Sequence, residues 1–201
     1  MRRRVASLRF PLAAAALLAV MGCFGPHGLE ANRVERTANL FPETFEMPVT
    51  LRLANVAIEA EAKMTVSGNT RTIQISRGGV PIEDEVYVVT RDSVAIKSLG
   101  TGEAFDPPLV LFEMPLNIGD SFSWKGKIDF AGPALDATAT AVTSRDRPDL
   151  PTGPRETVRV AVELKIDDGS PQPAIRKLDF WFAEGVGPIR RDYGNQIRTP
   201  R

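Results

Sequence analysis

Thiolate and imidazole chemistry is confined in this chain to one residue each, Cys23 and His27. A thiol can be a nucleophile, a metal ligand, half of a disulfide or a point of covalent attachment. An intramolecular disulfide needs a second cysteine, and there is none. A Cys/His zinc site needs several such ligands converging, and a Ser-His-Asp triad needs a histidine inside the folded domain. His27 instead sits in Phe24-Gly25-Pro26-His27-Gly28-Leu29-Glu30-Ala31, whose glycines and proline mark a tether, so it is expected to be solvated. Carboxylates remain. Glycosidase-type acid–base work needs two of them about 5–10 Å apart. The acidic clusters are Glu83-Asp84-Glu85 and Asp167-Asp168-Gly169; neither matches the calcium-loop pattern, and both are expected to be solvated turn and edge charges. Gly100-Thr101-Gly102 is followed by no third glycine and no helix, which excludes a phosphate or dinucleotide loop.

The surroundings of Cys23 give its thiol a different task. Met1-Arg2-Arg3-Arg4, with Arg9 behind, is a short basic stretch, and Leu12 to Met21 is an unbroken apolar run of ten residues. A membrane-spanning helix needs about 20 apolar residues. A basic start followed by a run of about 7–15 describes a secretory signal instead. The run ends in Val20-Met21-Gly22-Cys23, which resembles the lipobox of bacterial lipoproteins: an aliphatic residue, a variable one, a small one, then cysteine. The resemblance implies cleavage before Cys23, a thioether-linked diacylglycerol on its sulfur and acyl chains such as palmitate on the new terminus. It also implies sorting, because Phe24 stands where an Asp commonly retains such proteins at the inner membrane. The outer membrane, facing the periplasm, is the expected location. Two or three acyl chains hold stably where one holds only marginally.

Residues 1–22 are thus expected to be removed, 23–31 to be a lipidated tether and 32–201 to form one domain. Four of the 25 basic residues lie in the signal, leaving 21 against 25 acids, so no basic bias suggests nucleic acid. About 180 residues rich in Val, Ile, Leu and Phe suffice for a sizeable core.

From about residue 48 the dominant period is two. Ile58, Ala60, Ala62, Met64 and Val66 alternate with polar residues, as do Phe122, Trp124, Gly126, Ile128 and Phe130, and Val158, Val160, Val162, Leu164 and Ile166. Turn signals such as Ser67-Gly68-Asn69, Gly78-Gly79 and Gly132-Pro133 separate these runs. The pattern predicts about ten half-buried strands near 48–54, 57–66, 71–77, 84–91, 93–99, 108–113, 121–130, 134–144, 156–167, 175–183 and 188–193. Residues 32–47 are expected to add an edge strand or a short helix. Such strands cannot lie flat with their apolar faces in water. The expected fold is all-β, one antiparallel meander forming a strongly curved sheet or open barrel, with a β-sandwich as the alternative.

Three stretches resemble envelope proteins of unknown function: Pro115-Leu116-Asn117-Ile118-Gly119-Asp120-Ser121-Phe122-Ser123-Trp124, Leu150-Pro151-Thr152-Gly153-Pro154, and Trp181-Phe182-Ala183-Glu184-Gly185-Val186-Gly187, in which Glu184 replaces the family's proline. That likeness implies a curved antiparallel β domain and brings no activity or cofactor. In the last stretch Leu178, Phe180 and Phe182 point one way and Lys177, Asp179 and Trp181 the other. Gly185 and Gly187 allow a tight reversal, so the motif reads as a core-closing hairpin. The expected function is a lipid-anchored, non-enzymatic binding or structural protein. Its expected partners are the membrane and an apolar ligand or another envelope protein; no metal or cofactor is implied. Two alternatives stay open: a hydrolase using carboxylates alone, and a carrier similar to the lipoprotein-localisation carriers, which requires an uncovered concave apolar face.

Overall fold

A computed structural model describes residues 32–201 apart from positions 55, 131 and 195. The signal, Cys23 and His27 lie outside the described residues. A two-residue strand β1 (Arg33–Val34) and a single helical turn α1 (Thr37–Leu40) precede the main body. Then follow β2 (Glu46–Leu53), β3 (Val56–Ser67), β4 (Thr70–Arg77), β5 (Val80–Val89), β6 (Ser93–Ser98) and β7 (Ala104–Glu113). After a two-residue β8 (Leu116–Asn117) come β9 (Ser121–Asp129), β10 (Leu135–Asp146), β11 (Thr157–Asp167) and β12 (Ala174–Ala183). The chain finishes with β13 (Gly187–Asp192) and β14 (Gln196–Pro200).

The all-β antiparallel meander is as expected, but the sheet closes completely. Twelve strands run round the barrel in the order β10-β11-β12-β13-β14-β2-β3-β4-β5-β6-β7-β9, while β1 and β8 pair separately. Closure needs β14, which the sequence pattern did not reveal: Arg198 lies opposite Leu51 and Pro200 opposite Val49, so β14 joins β13 to β2. A sandwich would have left exposed edges, and a closed barrel leaves none. The seam between β7 and β9 is short, pairing only Ala104–Asp106 with Lys127–Asp129. Gly126 sits at this seam because a side chain there would meet the Asp106 carbonyl oxygen at 2.5 Å, and the Trp124 indole N–H donates to the Pro107 carbonyl at 3.0 Å.

Because the strands alternate in direction, the connections collect at two ends. One end carries residues 32–45 and the turns at 67–70, 90–92, 114–120, 147–156 and 184–186. We call it the plug end. The other carries the turns at 78–79, 99–103 and 168–173 and the start of the connection after β13 at 193–194, and we call it the far end. Twelve strands enclose more volume than the inward side chains of a small barrel fill. The N-terminal segment makes up part of the difference by folding into the plug end. Leu40, Phe41, Phe45 and Val34 are all buried in the main core. Phe41 packs on Tyr87 and Phe182 at ring-centroid distances of 5.0 and 6.3 Å, and Phe112 meets Phe182 at 5.1 Å. Both expectations for residues 32–47 are realised, as β1 and α1.

A second, smaller core lies outside the wall. Trp181 points outward as expected, yet it is buried with Leu150, Ala183 and Ile189. Leu150 belongs to the Pro-rich 147–154 stretch, so that loop covers the β12–β13 face. The Trp181 indole N–H donates to Asp146 Oδ2 at 2.7 Å, and the Arg190 and Arg159 guanidiniums lie 4.5 and 5.6 Å from its ring. Gly185 and Gly187 take positive φ, 70° and 105°, as the reversal after the motif requires.

Candidate functional site

Inward positions on a strand recur every second residue. On β5 these are Glu83, Glu85, Tyr87 and Val89, all buried, whereas Asp84 faces water. The expectation that Glu83 and Glu85 are solvated edge charges is therefore wrong. It failed because their partners come from the opposite wall of the barrel, more than 100 residues later. On β13 and β14 the inward residues include Arg191, Gln196 and Arg198. Arg191 and Arg198 are register partners on neighbouring strands, and two like charges directly opposite repel. They can be buried there only because β5 supplies two carboxylates.

The pairing is specific. Arg191 forms ion pairs with both Glu83 and Glu85, using Nη2 for the first and Nε for the second. The Gln196 amide NH₂ donates to Glu83, and its carbonyl accepts from Arg191 Nη1 at 3.0 Å. The Tyr87 hydroxyl donates to Glu85 Oε2 at 3.0 Å. Arg198 Nη2 lies 3.4 Å from the same oxygen and donates to the Pro188 carbonyl at 3.0 Å. Arg198 Nε and Nη1 are fully buried and make no hydrogen bond, and the Tyr193 hydroxyl is in the same position. The Phe45 ring lies 5.9 Å from the Arg198 guanidinium carbon.

Burial sets the titration of this cluster. Desolvation raises the Glu85 carboxyl above its ordinary value of 4.5, against the opposing pull of Arg198 and the Tyr87 hydrogen bond. Desolvation also lowers Arg191 to about 10, which still leaves it charged at neutral pH. The Tyr87 and Tyr193 hydroxyls are both pushed up, chiefly by burial and then by Glu85, so they stay protonated donors.

At the far end, Gly100 is required by this cluster rather than by any phosphate. A Cβ there would come within 2.8 Å of the Glu83 carboxyl carbon, so the 99–102 turn roofs that carboxylate closely. The same turn presents Glu103, ion-paired with Arg176 and accepting from the Thr101 hydroxyl. The Asp167-Asp168-Gly169 cluster is an exposed hairpin turn. Asp167 accepts from the Gly169 N–H at 3.1 Å, and Asp168 from the Ser170 N–H at 3.0 Å.

As chemistry, the interior pair Glu83/Glu85 is poorly placed for hydrolysis. Glu85 has no exposure, and both carboxylates spend their charge on Arg191. Among the described residues, no three His, Cys, Asp or Glu side chains converge as a metal site would need. No helix among them is long and apolar enough to cross a membrane. Leu40, Phe41 and Phe45 are buried in the main core and so cover its apolar interior at the plug end, where a carrier would need an uncovered concave apolar face. Cavities open outward instead. One of about 740 Å³ lies against the plug, bordered by Glu35, Arg36, Thr37, Arg91, Asp92 and Met114. Another of about 460 Å³ lies on the outer face of β10–β12, over Val142 and Ala161 and beside the Arg159–Asp179 ion pair (2.8 Å).

No family model matches the chain, and no curated protein matches it. Among solved structures, a suspected lipoprotein from Parabacteroides distasonis superposes with a TM-score of 0.40 at 10% sequence identity, covering 80% of this chain and 95% of that one. A likeness that remote carries no argument about this chain.

Proposed function

We propose that this protein is a lipid-anchored component of the bacterial cell envelope, with residues 32–201 as a β-barrel domain that binds rather than catalyses. One observation carries the anchor: the only thiol in the chain stands directly after Val20-Met21-Gly22, at the end of a ten-residue apolar run behind a basic start. Phe24 beside it favours the outer membrane, with the barrel in the periplasm. The non-catalytic half of the reading is supported by the fate of the buried acids, since Glu83 and Glu85 are tied to Arg191 rather than presented to a substrate.

The test is metabolic labelling with an alkyne-bearing palmitate, followed by membrane fractionation. The native chain should carry the label and sediment with membranes. Cys23→Ser should lose both the label and the shift in mass that follows signal cleavage. A serine variant that still carried lipid would sink the anchor.

A further inference from the structure

We propose that the open cavity at the plug end holds the head group of a zwitterionic aminophospholipid, with Arg36 and Arg91 on its phosphate and Asp92 on its ammonium. The choice of a membrane lipid as the source rests on the anchor at Cys23 proposed above; the charges of the cavity stand without it.

The cavity is preformed. Its volume of about 740 Å³ lies within the range of about 300–1,000 Å³ usual for small-molecule sites. Three segments make its rim: residues 35–38 of the plug, Arg91 and Asp92 of the β5–β6 turn, and Met114 and Pro115 after β7. They are tied to one another. The Thr37 hydroxyl donates to the Thr90 carbonyl at 2.8 Å, and the Met114 N–H to the Asp92 carbonyl at 2.7 Å.

The charges select the ligand class. Of the four charged side chains on the rim, Glu35 is taken by Arg33 at 2.9 Å. Arg36, Arg91 and Asp92 are exposed, and among the described residues none of these three side chains makes an ion pair or hydrogen bond. A guanidinium matches phosphate oxygens in geometry as well as charge, through parallel N–H donors. Two arginines alone would suit any phosphate. Asp92 adds an acceptor-only carboxylate, which repels a second negative charge and attracts an ammonium. A phosphate diester with an ammonium close by supplies both partners, and the half-buried Met114 offers the glycerol end an apolar flank.

The path of the chain selects the source. The Asn32 carbonyl accepts from the Ile118 N–H at 2.8 Å, so the chain enters the barrel at the plug end, beside the cavity. Nine residues lead from Cys23 to Asn32, and they reach at most about 31 Å. β3 and β10 have 12 residues each, which at a tilt of about 40° sets the two ends of the barrel about 30 Å apart. The anchor could pass the far end only at full stretch, so the plug end and its cavity face the head groups. Tethering makes this second contact intramolecular, at an effective concentration of about millimolar, and an affinity of that order is sufficient to fill the site.

The experiment titrates the purified full chain with glycerophosphoethanolamine by calorimetry. Glycerophosphoglycerol, which has the same phosphate without the ammonium, and inorganic phosphate run in parallel. The ethanolamine head group should bind in about the millimolar range and about tenfold more tightly than either competitor. Arg36→Ala combined with Arg91→Ala should weaken it about tenfold, and Asp92→Asn should bring it within about twofold of glycerophosphoglycerol. All three positions are exposed, so these variants should melt as the native chain does. Equal binding of the two head groups by the native chain would overturn the proposal, as would binding indifferent to the two arginines. The source is read by hydrogen exchange on the anchored chain. Residues 35–38 and 90–92 should exchange more slowly in vesicles containing phosphatidylethanolamine than in vesicles of phosphatidylglycerol alone, and unchanged exchange would overturn a lipid as the source. The palmitate label reads the anchor independently: a labelled chain that binds no head group leaves the anchor standing and sinks the site.

Discussion

The two ends of this barrel are closed by opposite kinds of chemistry. At one, a segment outside the wall buries Leu40, Phe41 and Phe45. Towards the other, wall residues reach across the lumen and lock Glu83 and Glu85 onto Arg191 and Arg198. Apolar packing is non-directional and tolerates rearrangement, and a side chain removed from it leaves behind only a space. A buried ion-pair cluster tolerates almost nothing. Each group is acceptable only while its partner is present, and removing one member strands a charge. The barrel is therefore adaptable at the plug and rigid in the cluster.

That contrast can be broken or sharpened by substitution. The largest effect is expected from Arg191→Ala, which leaves two buried carboxylates facing Arg198 alone. It should cost about 3–5 kcal/mol in urea unfolding. If it costs under about 1 kcal/mol, the cluster is not what closes the barrel. Phe41→Ala should cost somewhat less, about 2–4 kcal/mol, because the plug borders an open cavity and can settle. The same variant should change hydrogen exchange at the plug end alone. Gly100→Ala forces a methyl onto the Glu83 carboxylate and should cost about 1–3 kcal/mol. Glu83→Ala in the same chain should relieve the methyl clash, so a double-mutant cycle reading simple additivity would refute the close roof.

A subtler comparison lies in pH. Glu85 is raised by burial, so the folded state binds its proton more readily than the unfolded chain. Its contribution is present in acid and lost as pH rises above 4.5. Glu103 is lowered, with hydrogen bonds from Thr101 and Arg176 outweighing desolvation, so its contribution is present above 4.5 and lost as pH falls below it. Glu85→Gln should therefore make stability fall more steeply on acidification, and Glu103→Gln less steeply. Thermal melts from neutral pH to pH 3 would show the two slopes moving in opposite directions, or refute the assignment. The smallest effect belongs to the exposed Lys63–Glu46 pair (3.4 Å), whose removal should change stability by under about 1 kcal/mol.

Much of the wall was legible in the sequence because period-two alternation is a local signal. Each of the eleven candidate ranges falls on an observed barrel strand, and Trp124 and Ile128 face inward as read. What escaped was non-local. β14 was missed because Gln196-Ile197-Arg198-Thr199-Pro200 places polar side chains inward, inverting the usual pattern. Glu83 and Glu85 were misread for the same reason, since a charge on a strand looks solvated until its partner is known. A usable signal was nonetheless present: two acids at alternate positions of one strand, and arginines at inward positions of a later hairpin. Trp181 was assigned its correct face, but the loop that buries it carries no periodicity to announce it.

The pairing of β14 with β2 has a consequence for the order of events in the cell. A chain delivered N-terminus first presents β2 about 145 residues before the strand that must cover its edge. Until then one flank of the growing sheet offers unpaired backbone groups to any passing strand. Such non-local closure makes for slow folding and a vulnerable interval. The plug segment lies immediately before β2, and Phe45 already receives the Met64 N–H within the first hairpin. A folding helper in the envelope would find its substrate here: a nearly complete sheet waiting for its last strand.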